Sequence, residues 1–172
     1  QKVLDGEDLQ ENMMNMLRQL IDSSVTDALA ASGGVLDADS GRTLLAQFQG
    51  IYFPRGEWSP AEGAKAAQVA DELYALATKT YEAKEAAYTP KLMRELERVV
   101  MLRVVDEYWM DNIDAMDDLK QGIGLRAYGQ HDPVIAYKEE GYEMFTAMVN
   151  AIREETVRRM FLVRVNPTQE VK

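Results

Sequence analysis

The residues best equipped for chemistry lie between 111 and 131. Asp111, Asp114, Asp117 and Asp118 follow one another at steps of three, three and one, so on a helix they gather towards one side. Carboxylates spaced in this way suit a hard cation, or one flank of a carboxylate-bridged metal pair. The bridged site also needs Glu-x-x-His from two further helices, and the chain holds a single histidine, His131. A solvated acidic face is the stronger reading, and a carboxylate-metal helical enzyme built on Asp111, Asp114 and Asp118 is its rival. Gly122-Ile123-Gly124 invites comparison with nucleotide loops. A dinucleotide fingerprint, however, requires a strand before it and a third glycine where Ala127 stands. No Gly-Lys-Ser or Gly-Lys-Thr ending exists either, so a glycine turn between helices is expected.

Composition narrows the choice further. With no cysteine, disulfides, thiolate nucleophiles and Cys-type zinc sites are excluded. One histidine also removes most catalytic triads, which rely on imidazole titrating near neutrality. The 47% of hydrophobic residues can build a core for one domain, or for one domain carrying an insertion, in 172 residues. A formal charge of −10 repels nucleic acid and anionic lipid at long range, so no nucleic-acid partner is expected. No run approaches the roughly 18 apolar residues of a spanning helix, and the start carries no export-signal pattern. The opening Gln1-Lys2 and the polar stretch Asn166–Glu170 read as the ends of a piece of a longer protein.

Helices must position these residues, since no strand pattern competes. Leu9, Met13, Met16, Leu17, Leu20, Ile21 and Ala28 make an amphipathic helix over 7–31, with Glu7, Asp8 and Glu11 in its first turn and Gly33-Gly34 ending it. Thr43 to Tyr52 is expected as a short helix, and Phe53–Trp58 as irregular chain. Ser59-Pro60 signals a start for a helix through 87 carrying Val69, Leu73, Leu76, Thr80 and Tyr81. Thr89-Pro90 repeats the signal for a helix of roughly 30 residues, about 45 Å long. Its belt from Val99 to Val105 is apolar almost all round, which implies cover on more than one face. Gln121 to His131 is expected as the connection. Asp132-Pro133 opens a last helix lined by Tyr137, Gly141, Phe145, Met148, Ile152 and Met160, with Glu154–Arg158 and Glu155–Arg159 as exposed pairs. The two long helices are expected to form an antiparallel hairpin.

Among residues suited to contacts, Trp109 reads as an anchor where helices cross. The ten methionines read mainly as core filling; Met13, Met14, Met16, Met144 and Met148 could alternatively offer a surface for varied peptides. Tyr128, between Arg126 and Gln130 in the connection, is either an outward contact ring or a ring tucked against the hairpin, and spacing leaves both open.

The string from Trp109-Met110-Asp111-Asn112 through Gln121-Gly122-Ile123-Gly124-Leu125-Arg126-Ala127-Tyr128-Gly129-Gln130-His131-Asp132-Pro133 resembles the two-helix finger of the SecA preprotein translocase family. Tyr137–Gly141, Met144-Phe145 and Met148 continue the likeness. It is strong over residues 89–165 and looser over the first helix with its lead-in Asp5–Leu9. It implies an all-α fold: a long-helix scaffold with an antiparallel two-helix finger and a small inserted helical wing. Residues 1–32 would be the first scaffold segment, 33–88 the wing, and 89–172 the second scaffold segment with the finger.

The resemblance also implies a function. In that family the finger tip enters the mouth of the SecY channel and its tyrosine touches the translocating preprotein; Tyr128 matches that position, with Leu125, Arg126 and Gln130 beside it. The first finger helix contacts the motor domains, which points to Trp109, Val100, Arg103 and Val104. ATP and magnesium would bind the parent protein's motor, with no cofactor and no catalysis in this segment. The implied setting is a bacterial cytoplasm, peripherally at the inner face of the plasma membrane, with a homodimer possible and a structural oligomerisation module as a further alternative. Asn112, Gly124 and Gly129 depart from the commoner family pattern, in which histidine often stands at the first two and alanine at the third. A histidine-dependent tip contact is not implied here.

Overall fold

The computed structural model describes residues 6–126 and 133–165, and for 6–8, 123–126 and 133 it describes the backbone. Five helices account for nearly all of it: α1 (Gly6–Leu29), α2 (Ala38–Phe48), α3 (Ala66–Tyr88), α4 (Pro90–Arg126) and α5 (Pro133–Leu162). The fold is all-α, as expected. The chain divides into two compact units, Gln1–Arg98 with Val157–Lys172, and Val99–Thr156. This is a division by packing, distinct from a division by insertion at 32/33 and 88/89.

In the first unit α1 buries Leu9, Met13, Leu17, Leu20, Ile21, Val25 and Leu29, one stripe at steps of three and four. Each such side chain contributes about 1.5–3 kcal/mol on leaving water. The helix packs mainly on α3, whose Val69, Ala70, Leu73, Ala77 and Tyr81 are buried. A 3-10 turn over Ala30–Ser32 and a left-handed Gly33 end α1, as the glycine pair predicts.

Two helix boundaries between residues 33 and 88 differ from the sequence expectation. The helix expected at Thr43–Tyr52 runs instead over Ala38–Phe48. Asp37 and Ser40 form a reciprocal capping box: Ser40 N donates to Asp37 Oδ1 at 2.8 Å, and Asp37 N donates to Ser40 Oγ at 2.9 Å. These bonds start the helix early, and the Ser40 amide, with the Ser40 hydroxyl at 2.7 Å, holds the Asp37 carboxyl below its ordinary value. Extended Gln49 and left-handed Gly50 then stop it before Tyr52.

The helix expected from Ser59-Pro60 begins only at Ala66. Gly63 N donates to Leu36 O and Leu36 N to Ala64 O, both at 2.8 Å, so this backbone is committed to a cross-link instead of a helical ladder. Pro60 packs against α2, where Gly41 has no side chain to block it; a Cβ there would lie 3.1 Å from the proline. The Gly122–Gly124 turn is likewise replaced, because α4 stays helical through both glycines to Arg126.

α3 also gathers the ends of the other long helices that belong to this unit. Phe161 of α5 packs on the Tyr81 ring at 5.3 Å and on Tyr52 at 4.9 Å. Lys84 Nζ donates to Met160 O at 2.8 Å and also reaches the carbonyls of Phe161 and Val163, while Tyr88 accepts a bond from Val165 N. The last carbonyls of a helix lack partners inside it, and here a lysine from another helix supplies them. Burial, and secondarily Arg164, lower the Lys84 ammonium to about 8.

Replacing Lys84 with methionine is expected to cost about 1–3 kcal/mol in urea unfolding at pH 7, because buried carbonyls lose their donor. The folded value near 8 lies below the ordinary 10.5, so the folded chain releases this proton first. Wild-type stability relative to Lys84→Met therefore rises between those two pH values. A flat difference across that window would contradict the assignment.

Candidate functional site

In the unit Val99–Thr156, α4 and α5 lie antiparallel. Leu119 is buried against Met116 of its own helix and against Ala136, Tyr137 and Met144 of α5. Gly141 faces Met116 so closely that a Cβ would stand 2.9 Å from the Met116 methyl. Residues 116–119 near the end of α4 thus lie along residues 136–144 near the start of α5. A glycine at the contact lets the two helices approach where a larger side chain would hold them apart.

Beside this seam runs an open groove of about 570 Å³. Trp109, Ile113, Tyr137 and Phe145 supply its apolar lining, and Asp114, Asp117 and Lys120 stand along it. Trp109 is 45% exposed and Phe145 46%, and the exposure continues over Met110, Tyr142 and Val149. On α4, Val99, Leu102, Trp109 and Ile113 follow one another at three, seven and four residues, all exposed. That spacing puts them on one helical stripe, interrupted by Asp106. Exposed apolar side chains grouped in this way form a candidate contact surface.

Several expectations about these residues change. The belt at 99–105 is covered on one side only within this chain: Val104 is fully buried, Val100 half-buried, and Val99, Leu102 and Arg103 exposed. The all-round apolar pattern thus overstates the chain's own cover. Trp109 is no buried anchor but an open wall of the groove. Of the four residues assigned to a motor contact, Trp109 and Arg103 present surface, Val100 presents part of itself, and Val104 presents none. Tyr128 and Gln130 lie outside the described residues. Leu125 and Arg126 belong to the last turn of α4, and their side chains lie outside the description.

The aspartates do not converge on a centre. Asp111, Asp114, Asp117 and Asp118 are exposed, and Asp117 accepts a bond from Gln121 at 3.3 Å. Among the described residues no three of His, Asp and Glu come together as a metal site. Also among the described residues, no helix is long and apolar enough to cross a membrane.

A second constellation, which sequence reasoning passed over, lies in the other unit. Glu97 has no exposed surface. It accepts the Tyr81 hydroxyl and an Arg94 Nη2 bond at 3.0 Å, with Arg94 Nε 2.8 Å from its other oxygen as an ion pair outside hydrogen-bonding geometry. Arg94 also pairs with Glu85 of α3. Burial raises the Glu97 carboxyl above its ordinary value, against the opposing pull of Tyr81 and Arg94. Burial, with the Glu97 charge, likewise raises the Tyr81 phenol. The signal was present in the sequence: Met93, Glu97, Val100 and Val104 keep one helical spacing, and a carboxylate sits within that apolar stripe.

Long helices paired through an apolar seam define an all-α scaffold. The chain belongs to the SecA wing and scaffold family: the family model described as "SecA Wing and Scaffold domain" matches residues 1–164. It is 43% identical over 175 residues to the protein translocase subunit SecA of Clostridium botulinum (strain Alaska E43 / Type E3), covering 98% of this chain and 20% of that relative. Similar matches are SecA of Clostridium acetobutylicum, 43% identical over 171 residues with 98% and 20% covered, and SecA 1 of Clostridioides difficile, 40% identical over 173 residues with 99% and 19% covered. The chain thus spans about a fifth of the length of these relatives. Its family ties it to protein translocation.

Enlarging Gly141 to leucine is expected to cost about 1–3 kcal/mol by overpacking the seam, although leucine favours helix over glycine by roughly 0.8 kcal/mol. Gly141→Ala should be near neutral, since the flexible Met116 methyl can turn aside. Thermal unfolding of the two variants checks the pair. Equal stability of Gly141→Leu and wild type would place the helices further apart than described.

Proposed function

We propose that this chain is the wing and scaffold part of a preprotein-translocating motor, whose α4–α5 hairpin carries movement to a polypeptide at the mouth of the SecY channel. Leu125, Arg126, Tyr128 and Gln130 form the tip that touches the polypeptide. Trp109 and Arg103, with part of Val100, face the motor domains, while Val104 supports them from inside. Residues 1–32 and 89–172 are the scaffold segments and 33–88 the inserted wing. ATP and magnesium are bound by other parts of the parent protein, which works in the cytoplasm and at the inner face of the membrane and could pair with a second copy.

The observation that carries this reading is the seam itself. α4 and α5 run side by side as an antiparallel pair close to their facing ends, with Leu119, Met116, Tyr137 and Met144 filling the space between them. Packed helices of this kind transmit a push because their side chains resist compression. An open apolar wall further along the same pair suits a contact with another domain.

The test is Tyr128→Ala in the whole translocase. An aromatic contact is worth about 0.5–1.5 kcal/mol, so its loss is expected to slow preprotein transport by up to about tenfold. Basal ATP hydrolysis is expected to stay within about twofold of wild type, because one tip residue far along the chain from Trp109 is removed. Unchanged transport with unchanged hydrolysis would refute the tip contact.

A further inference from the structure

α3 and α4 are joined by a single residue, and that residue is strained. Thr89 has φ 81° and ψ 148°, a conformation close to one reserved for glycine, and it is the one non-glycine residue with positive φ among those described. A β-branched side chain makes this region more costly still. Thr89 nonetheless terminates both helices. Its N–H donates to Glu85 O at 2.8 Å, its carbonyl accepts from Met93 N at 3.1 Å, and its hydroxyl accepts from Leu92 N at 3.3 Å.

Two ties cross the joint, placed almost symmetrically about it. Tyr81, eight residues before Thr89, donates to Glu97, eight residues after it. Glu85, four before, pairs with Arg94, five after. Tyr81 and Glu97 are buried, and Arg94 and Glu85 are partly so, at 16% and 20% exposure. Charge-assisted bonds in such a site are strong, and breaking one leaves a desolvated group behind. Without a glycine at the apex, the conformation of Thr89 persists because these ties over-determine it.

We infer that the α3–α4 joint is a held spring: the Tyr81–Glu97 and Glu85–Arg94 ties keep Thr89 in its strained conformation, and releasing them lets the angle between α3 and α4 relax to a second value. The device is a conformational switch internal to the unit Gln1–Arg98, and it stands whether or not the hairpin tip meets a polypeptide. Any event that draws Arg94 or Glu97 towards another partner would open the joint, since the strain then works for the change.

The chain has no cysteine, so two introduced cysteines report without background. Spin labels at Ala75→Cys and Arg98→Cys, both exposed, read the separation of the two arms in the full chain. With the ties intact a single narrow separation is expected. In Tyr81→Phe/Glu85→Ala both cross-joint side-chain ties are lost, because neither new side chain offers the lost donor or acceptor, while Arg94 and Glu97 remain paired within α4. A second separation should then grow by about tenfold or more relative to the first, the shift expected of backbone strain of this kind. Adding Thr89→Gly, which occupies the same φ without strain and nearly matches threonine as a cap, should reverse most of that growth.

A single separation that persists in the doubly untied chain would overturn the inference, as would a second population that Thr89→Gly enlarges. Should the untied chain lose its helicity, Thr89→Gly in the otherwise unaltered chain decides. A glycine replacing an unstrained residue lowers the urea midpoint. Here a raised midpoint is expected, and a lowered one contradicts stored strain.

Discussion

A carboxylate with no exposed surface fixes the meeting of α3 and α4 in the first of the two units. Glu97 sits on the stripe of α4 that otherwise carries Met93, Val100 and Val104, and it can be there because Tyr81 and Arg94 meet it. Desolvating a charge is expensive, and a buried pair is retained less for net stability than for the geometry it specifies. An apolar residue at 97 could be packed in more than one way. The Tyr81 hydroxyl and the Arg94 guanidinium accept far fewer arrangements, so the crossing of α3 and α4 is fixed by polar chemistry where hydrophobic burial alone would be permissive.

The same face of α3 secures the end of α5. Tyr81, Lys84 and Tyr88 recur at three and four residues, and between them they pack Phe161, satisfy the last carbonyls of the helix and accept the amide of Val165. One stripe thus meets the start of α4 and the finish of α5. Both helices continue by covalent connection into the unit Val99–Thr156, whose seam is filled mainly by apolar side chains and whose outer face is open. The division of labour is chemical: polar contacts with strict geometry at the beginning of one long helix and the end of the other, and open apolar surface along the hairpin.

Much of this could be read from the residues. Helical periodicity gave α1, α3, α4 and α5, because burial on one face imposes steps of three and four. Thr89-Pro90 correctly marked a helix start, although no spacing rule indicates that Thr89 has positive φ. The early start of α2 comes from a local capping box at Asp37 and Ser40, whereas in the two other errors tertiary contacts overrode local signals. Ser59-Pro60 has the chemistry of a helix start, but Gly63 and Ala64 are drawn into bonds with Leu36. Gly122 and Gly124 have the chemistry of a turn, but a helix already packed through Leu119 carries on past them. The candidate surface was only half legible. Apolar residues at 99–113 were visible, yet whether Val104 or Leu102 faced inward depends on what packs there, which one strand of sequence does not state.

The central claim is that α3 holds the start of α4 and the end of α5 as one cooperative body. Native-state hydrogen exchange across the chain tests it most directly, with backbone amides compared by the free energy of the opening that exposes them. Residues 93–98 and 157–162 are expected to share the opening free energy and denaturant dependence of the buried turns of α3 around Leu73–Tyr81. If either segment exchanges through a separate, cheaper opening while α3 stays protected, the polar face of α3 does not bind them together, and the account fails at its base.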